Sequence, residues 1–285
     1  MKTTMIKKLF IPLTIIGLVS NLSARENINT PGEKSIPTSS DGLKVMAGCQ
    51  AGTTQTEIKL NNVRTRMLTS GDMWWDLSNA KYEVPKGSNS YSCFAGSLWF
   101  GGKVGGQLRV SAMTYRQNGI DFWPGPLDPG TVDIDAATCT KYDKHWRFNR
   151  SDVDKFYANL KTPDPTYVTP TWIKEYPGNA PMPTTAYNYL APFTDMNNDM
   201  IYDPVIDYPA YNVTSAPVAF GECKKRLFGD ETLFWVFNDK GNIHSETSSQ
   251  AQIGVEIRAQ ALEFSTSDEL NDMTFYNFEI INRST

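Results

Sequence analysis

Residues 254–264, GVEIRAQALEF, place Val255, Ile257, Ala259 and Ala261 on one side of an extended chain and Glu256, Arg258 and Gln260 on the other. A side-chain period of two marks a β-strand, because successive Cβ atoms point to opposite faces. Just upstream, residues 231–246 read ETLFWVFNDKGNIHSE, an apolar run at 233–237 of the buried kind and then a turn at Asn238, Asp239, Lys240 and Gly241. Downstream, MTFYNFEIINRST (273–285) alternates again, and the chain ends inside that strand, so the natural protein is expected to continue. Further toward the N-terminus, EIKLNNVRTRML (57–68) alternates Ile58, Leu60 and then Val63, with a bulge or turn at Asn61-Asn62. Residues 92–100 and 107–115 read as a hairpin whose connection is supplied by the glycines of 101–106.

Between these strands, about 121–228 holds most of the prolines. Proline donates nothing to a sheet ladder, so this part reads as a long irregular insertion. One segment of it, RSDVDKFYANL (150–160), has helical spacing: Ser151 as N-cap, Asp154 three residues on, and Val153, Phe156, Tyr157 and Leu160 on one packing face. The expected fold is therefore mainly β, an antiparallel β-sandwich-like module with a long loop-rich, Pro-rich insertion carrying one or two short helices.

The chain has 285 residues, 40% hydrophobic and 20% charged, enough apolar material for a core. A net charge of −4 with scattered Lys and Arg argues against a nucleic-acid partner, which needs a basic face to neutralise phosphates. Residues 1–24 have the layout of a secretory signal peptide: Lys2, Lys7 and Lys8, an apolar run over 9–19, and a small-residue stretch ending at Ala24. That run is short of the ~20 residues that span a bilayer, and Pro12 interrupts it. Export to the extracellular space or outer cell surface is expected, with no transmembrane segment after cleavage. Residues 25–55 read as a flexible leader before a β-rich domain over 56–285. Four cysteines, Cys49, Cys93, Cys139 and Cys223, suit one or two disulfides in an oxidising compartment; the sequence does not choose the pairing.

Four features bear on chemistry. TDMNNDMIYDPVIDYP (194–209) sets Asp195, Asn197 and Asp199 at positions 1, 3 and 5 of a calcium loop, the Ile201 carbonyl at 7 and Asp203 at 9. Ile206 stands where an EF-hand has its bidentate Glu, Asp207 follows one residue late, and Met200 holds the glycine position. The expectation is a structural Ca2+ site rather than an EF-hand. Carboxylates beside aromatics (Asp72 with Trp74 and Trp75, Asp121 with Trp123) give the alternative, a glycan-binding or glycoside-hydrolysing site. Trp123 and Trp172, in Pro-rich loops, are candidate glycan platforms, whereas Trp99 and Trp235 lie in strand runs and are expected in the core. The two histidines, His145 and His244, sit in no nucleophile motif and read as exposed or structurally bonded.

Several blocks have a familiar wording: NNVRTRMLTSGDMWWDLSNAKYEVPKGSN, GSLWFGG, MTYRQNGIDFWPGPLD and LFWVFNDKGNIHSET. With them most of 57–285 resembles the N-terminal region of large exported Bacteroidota proteins that end in a type IX secretion sorting domain. The resemblance implies a cell-surface protein handled by that secretion machinery, with adhesion-like β-domains further along. It also implies a calcium-loop-like signature, matched at Asp195, Asn197, Asp199, Tyr202, Pro204, Asp207, Tyr208 and Pro209 and departed from at Met200. Together these readings make a non-enzymatic surface module serving adhesion or assembly the first expectation, with a glycan or another surface molecule as partner.

Overall fold

The computed structural model describes residues 48–116, 119–181, 189–211, 226–247 and 251–284. The signal-peptide segment 1–24, most of the expected leader and Cys223 lie outside them. Along the chain come β1 (Gln55–Ile58), β2 (Arg64–Leu68), β3 (Tyr82–Glu83), β4 (Tyr91–Cys93), β5 (Phe100–Val104), β6 (Gln107–Ser111) and β7 (Trp123–Pro124). Then follow α1 (Ala136–Tyr142), β8 (Trp146–Asn149), α2 (Arg150–Lys161), α3 (Thr171–Lys174), β9 (Phe193–Thr194) and β10 (Tyr208–Pro209). The last elements are β11 (Glu231–Asn238), β12 (Val255–Glu263), a 3-10 turn (Glu269–Asp272) and β13 (Phe275–Asn282). The fold is mainly β, antiparallel and sandwich-like.

The central sheet has β11 and β12 at its heart, with β13 on the outer edge of β12. Two short insertion strands share the other edge of β11: β8 pairs with residues 231–234 and β7 with 237–238. The insertion is thus hydrogen-bonded into the sheet at two points. A second sheet, β1 to β4 in sequence order, packs on one face of the first. Ile58 and Met67 meet Leu233, Trp235, Phe237, Ile257, Ala259 and Ala261 there in one apolar cluster. On the opposite face Phe234 and Val236 pack with Phe148, Val153 and Phe156, and with Ile173, Tyr202 and Tyr208 of the insertion.

The alternation in β12 identifies the strand but understates its burial. A 2.0 period normally marks one dry and one wet face, yet all nine residues of β12 are buried. The insertion covers the polar face, and the charges there are paired. Glu256 accepts from Arg258 Nε at 2.9 Å, from Arg283 Nη2 at 3.3 Å and from the Leu127 amide at 3.0 Å. Gln260 donates to the Arg226 carbonyl. Buried charge is tolerable only with such partners.

Several local readings change. The hairpin turns at Gly105-Gly106, both at positive φ, so Gly101 and Gly102 are strand residues and the ladder starts at Phe100. Trp99 falls outside it and is 68% exposed, not core; Trp235 is fully buried, as expected. Helix α2 begins at Arg150 with Asn149 as N-cap and no side-chain cap bond, so Ser151 is already helical; its stripe packs through Val153 and Phe156. Among its described residues the insertion carries three helices rather than one or two. Residues 48–55 are packed rather than leader-like: Cys49 is buried, bonded to Cys139 of α1, and clustered with Trp123, Leu127 and Ile134. Cys93 has no disulfide among the described residues.

Candidate functional site

The residues proposed for glycan chemistry do not form one site. Asp121 is fully buried and accepts from the amides of Ala112, Ser245 and Glu246 at 3.0–3.2 Å. It therefore fastens the 245–247 segment to the end of β6 and has no access to a substrate. Trp123 is buried in the cluster around the Cys49–Cys139 bond, its ring tilted against His244. Trp172 stacks on Phe148 and donates its indole N–H to Asp152. Trp74 packs half-buried against the main core and donates to the Tyr276 hydroxyl at 2.8 Å. Asp72 and Trp75 stand apart from these.

Asp72 and Trp75 line a cleft of about 140 Å³ together with Gly96, Ser97, Trp99, Met113, Thr114 and Tyr115. Local backbone explains how the side chains reach it. Met73 bridges to both Met67 and Gly96. Trp74 then takes φ +72, which breaks the alternation and sends the buried Trp75 to the wall of the cleft while Trp74 lies half-buried against the main core. On the opposite wall Tyr115 and Arg116 also have positive φ, at +52 and +47. Three side-chain-bearing residues in the left-handed region around one cavity store strain on the order of 1–3 kcal/mol each. Trp75, Phe94 and Tyr115 form a ring triangle with centroids 5.5–6.3 Å apart. Trp99 is pinned by its indole N–H to the Met113 carbonyl at 3.0 Å, leaving its face in solvent. At the base Asp72, 2% exposed, takes a bidentate bond from Arg116 Nε and Nη2, both at 3.0 Å, and a third from Trp75 Nε1 at 3.1 Å. Sequence reading named Asp72 and Trp75 but missed Trp99 and Tyr115. Counting five residues back from Gly105 would have freed Trp99 from the strand.

The acidic loop is the connection of a two-residue ladder, Phe193 against Pro209 and Thr194 against Tyr208. It has no flanking helices. Asp207 is buried and braces the two sides of the loop, accepting from Met196 N and Asp203 N, both at 2.9 Å. Asp199 and Asp203 accept from amides two residues on, at 2.8 Å. Met200 does take the left-handed turn that glycine normally supplies, at φ +64, and donates its N–H to Asp195 Oδ2 at 2.8 Å. Asp195 Oδ1 is buried with no hydrogen-bond partner among the described residues. Burial and then the nearby Asp charges raise the phenol pKa values of Tyr189 and Tyr202, a sign of the negative field at the loop.

This donor set fits calcium in part. Asp195 has an oxygen to spare, and the turn at Met200 has the required hand. Asp207 is engaged on both oxygens. Among the described residues no three His, Cys, Asp or Glu side chains are grouped as a metal cluster. Any ion would therefore draw on amide and carbonyl oxygens as well, which calcium accepts. A second cavity, between Pro126, Asp133, Glu256, Arg258 and Arg283, measures about 20 Å³, room for a water molecule but not for a ligand.

Both histidines are enclosed. His244 is bonded at its two nitrogens to the carbonyls of Val110 and Asp239. His145 differs from the expectation: its ring nitrogens are buried without partners, its ring lies edge-on to Trp235, and burial lowers its pKa to about 3. Comparison with protein-family models, with curated proteins and with solved structures finds no match.

Proposed function

We propose that the chain is an exported, non-enzymatic β-module of the outer cell surface, serving adhesion or assembly, whose insertion is stapled by calcium at Asp195, Asn197, Asp199, Ile201 and Asp203. The observation that carries the reading is how the reactive side chains are used. Asp121 and His244 are committed to internal hydrogen bonds, and His145 is sealed against Trp235. Asp72 does line a cleft, but it is ion-paired with Arg116 and, among the described residues, no second acid lines that cleft, whereas hydrolysis of a glycoside needs a pair of carboxylates flanking the bond. Support for export comes from the layout of residues 1–24 and from the Cys49–Cys139 bond, which suits an oxidising compartment. No helix among the described residues is long and apolar enough to cross a membrane. Type IX secretion rests on the resemblance of the quoted blocks.

Export is tested by fractionating producing cells and shaving their surface with protease. The chain is expected outside the cytoplasmic membrane and shortened by residues 1–24. Accumulation of the unprocessed chain in the cytoplasm would contradict the proposal.

A further inference from the structure

We propose that the cleft between Trp75, Trp99 and Tyr115, above the Asp72–Arg116 pair, is a binding subsite for one neutral pyranose ring of a glycan. The inference deepens the surface-module reading by naming what the module would hold.

Size comes first. Engineered closed cavities of roughly 150 Å³ bind benzene; this cleft of about 140 Å³ is open at Trp99, so the ring of one sugar can enter it with its substituents projecting into solvent. Shape and polarity follow. The rim is aromatic and open: Trp99 is 68% exposed, Tyr115 50% and the adjoining Phe94 49%. Large rings with this much exposure cost solvation unless something covers them. The negative face of an indole attracts weakly positive C–H groups, which a pyranose presents on one side. The Trp99 ring is already oriented by its bond to the Met113 carbonyl, so little freedom is lost on stacking.

The base of the cleft selects among apolar and polar ring ligands. Asp72 receives three donors, and a carboxylate has about four acceptor sites. One site thus remains for a ligand hydroxyl, and O–H to carboxylate bonds are among the stronger kind. Because Arg116 neutralises Asp72, the cleft offers no net charge to a cation or an anion. An aromatic cage for a quaternary ammonium lacks its counter-charge here, whereas a neutral polyol loses nothing. Ser97, whose hydroxyl donates to the Leu98 carbonyl, can accept a second hydroxyl. The left-handed backbone at Trp74, Tyr115 and Arg116 aims these groups at the cleft, its strain offset by the Arg116–Asp72 and Trp74–Tyr276 bonds.

The test uses the full chain with methyl glycosides and trisaccharides of glucose, galactose, mannose and N-acetylglucosamine, read by ligand-observed NMR and titration calorimetry. At least one series is expected to bind. Trp99→Ala and Tyr115→Gly should each weaken that binding about tenfold or more, with melting temperatures close to the unaltered chain. Tyr115→Gly suits the backbone because glycine tolerates positive φ. Leu108→Ser, on the exposed hairpin outside the cleft, should leave affinity unchanged. The proposal is overturned if no saccharide binds, if binding survives both ring deletions, if Leu108→Ser weakens it equally, or if tetramethylammonium binds and the sugars do not. Failure here leaves export and the calcium staple standing, because neither involves the cleft.

Discussion

At the scale of single residues, two buried ionisable groups shape how stability depends on pH between 4.5 and 7. Carboxylates such as Asp143, held low against the effect of burial by bonds from Thr69, Thr53 and Thr54, add to the loss of stability in acid. Burial, seconded by the charge of Glu231, raises the Glu263 pKa from 4.5 to about 7, against the opposing bonds from the Leu60 and Asn61 amides. Burial lowers the His145 pKa from 6.5 to about 3. Stability rises with pH wherever the unfolded chain binds more protons. Below 4.5 the unfolded chain protonates both groups while the folded chain protonates only Glu263, so stability falls as acid is added. Between 4.5 and 6.5 each state carries one of the two protons and their contributions cancel. Above 6.5 the folded chain alone keeps the Glu263 proton, so stability declines until about pH 7. Urea unfolding across this range is expected to show the plateau. Glu263→Gln should replace it with a slope rising from 4.5 to 6.5, because His145 is then uncompensated. A plateau unchanged by Glu263→Gln would refute the assignment. Neither group was legible beforehand: Glu263 ends an alternating strand like any solvated acid, and nothing in KYDKHWRF announces an imidazole sealed against Trp235.

Among the elements, β12 is the one on which the layers depend. Its apolar face was readable from 254–264 because the residue period survives any tertiary context. Its polar face was misleading because the cover comes from the Pro-rich insertion, whose strands are too short to declare themselves: β7 is two residues, one of them proline, and β8 is four. Glu256 sits near one end of that covered face between Arg258 and Arg283. Removing one partner of a buried ionic group strands the others, so Glu256→Ala is expected to cost about 3–5 kcal/mol. A loss under about 1 kcal/mol in denaturant unfolding, the range of an exposed ion pair, would show that this face is wet. The hairpin β5–β6 gives the reverse lesson. Its glycines were seen, but the turn lies at one end of the glycine run, and that shift of register carried Trp99 out of the core and into the cleft.

For the whole molecule, the central sheet is shared between a compact N-terminal sheet and an insertion with much of its length in loops. Three devices hold that insertion: the ladders of β7 and β8 on β11, the Cys49–Cys139 bond, and the clasp at Tyr202, whose backbone bonds both ways with Asn179 and whose hydroxyl donates to the Ile173 carbonyl. Tyr202 belongs to the acidic loop itself, so the clasp ties that loop to residues 173–179 of the same insertion. The loop's ligand register was legible because calcium loops space their oxygens by residue number. The bracing role of Asp207 was not, since it depends on which amides fold back onto it. If calcium completes the loop, it must stabilise the folded chain by mass action. Thermal unfolding in excess Ca2+ and in EDTA measures this directly. Calcium is expected to raise the melting temperature by about 5 °C or more, and Asp195→Asn, which removes the charge of the carboxylate with the unpartnered oxygen, should abolish the difference. Superimposable melts of the unaltered chain in Ca2+ and EDTA would contradict the account.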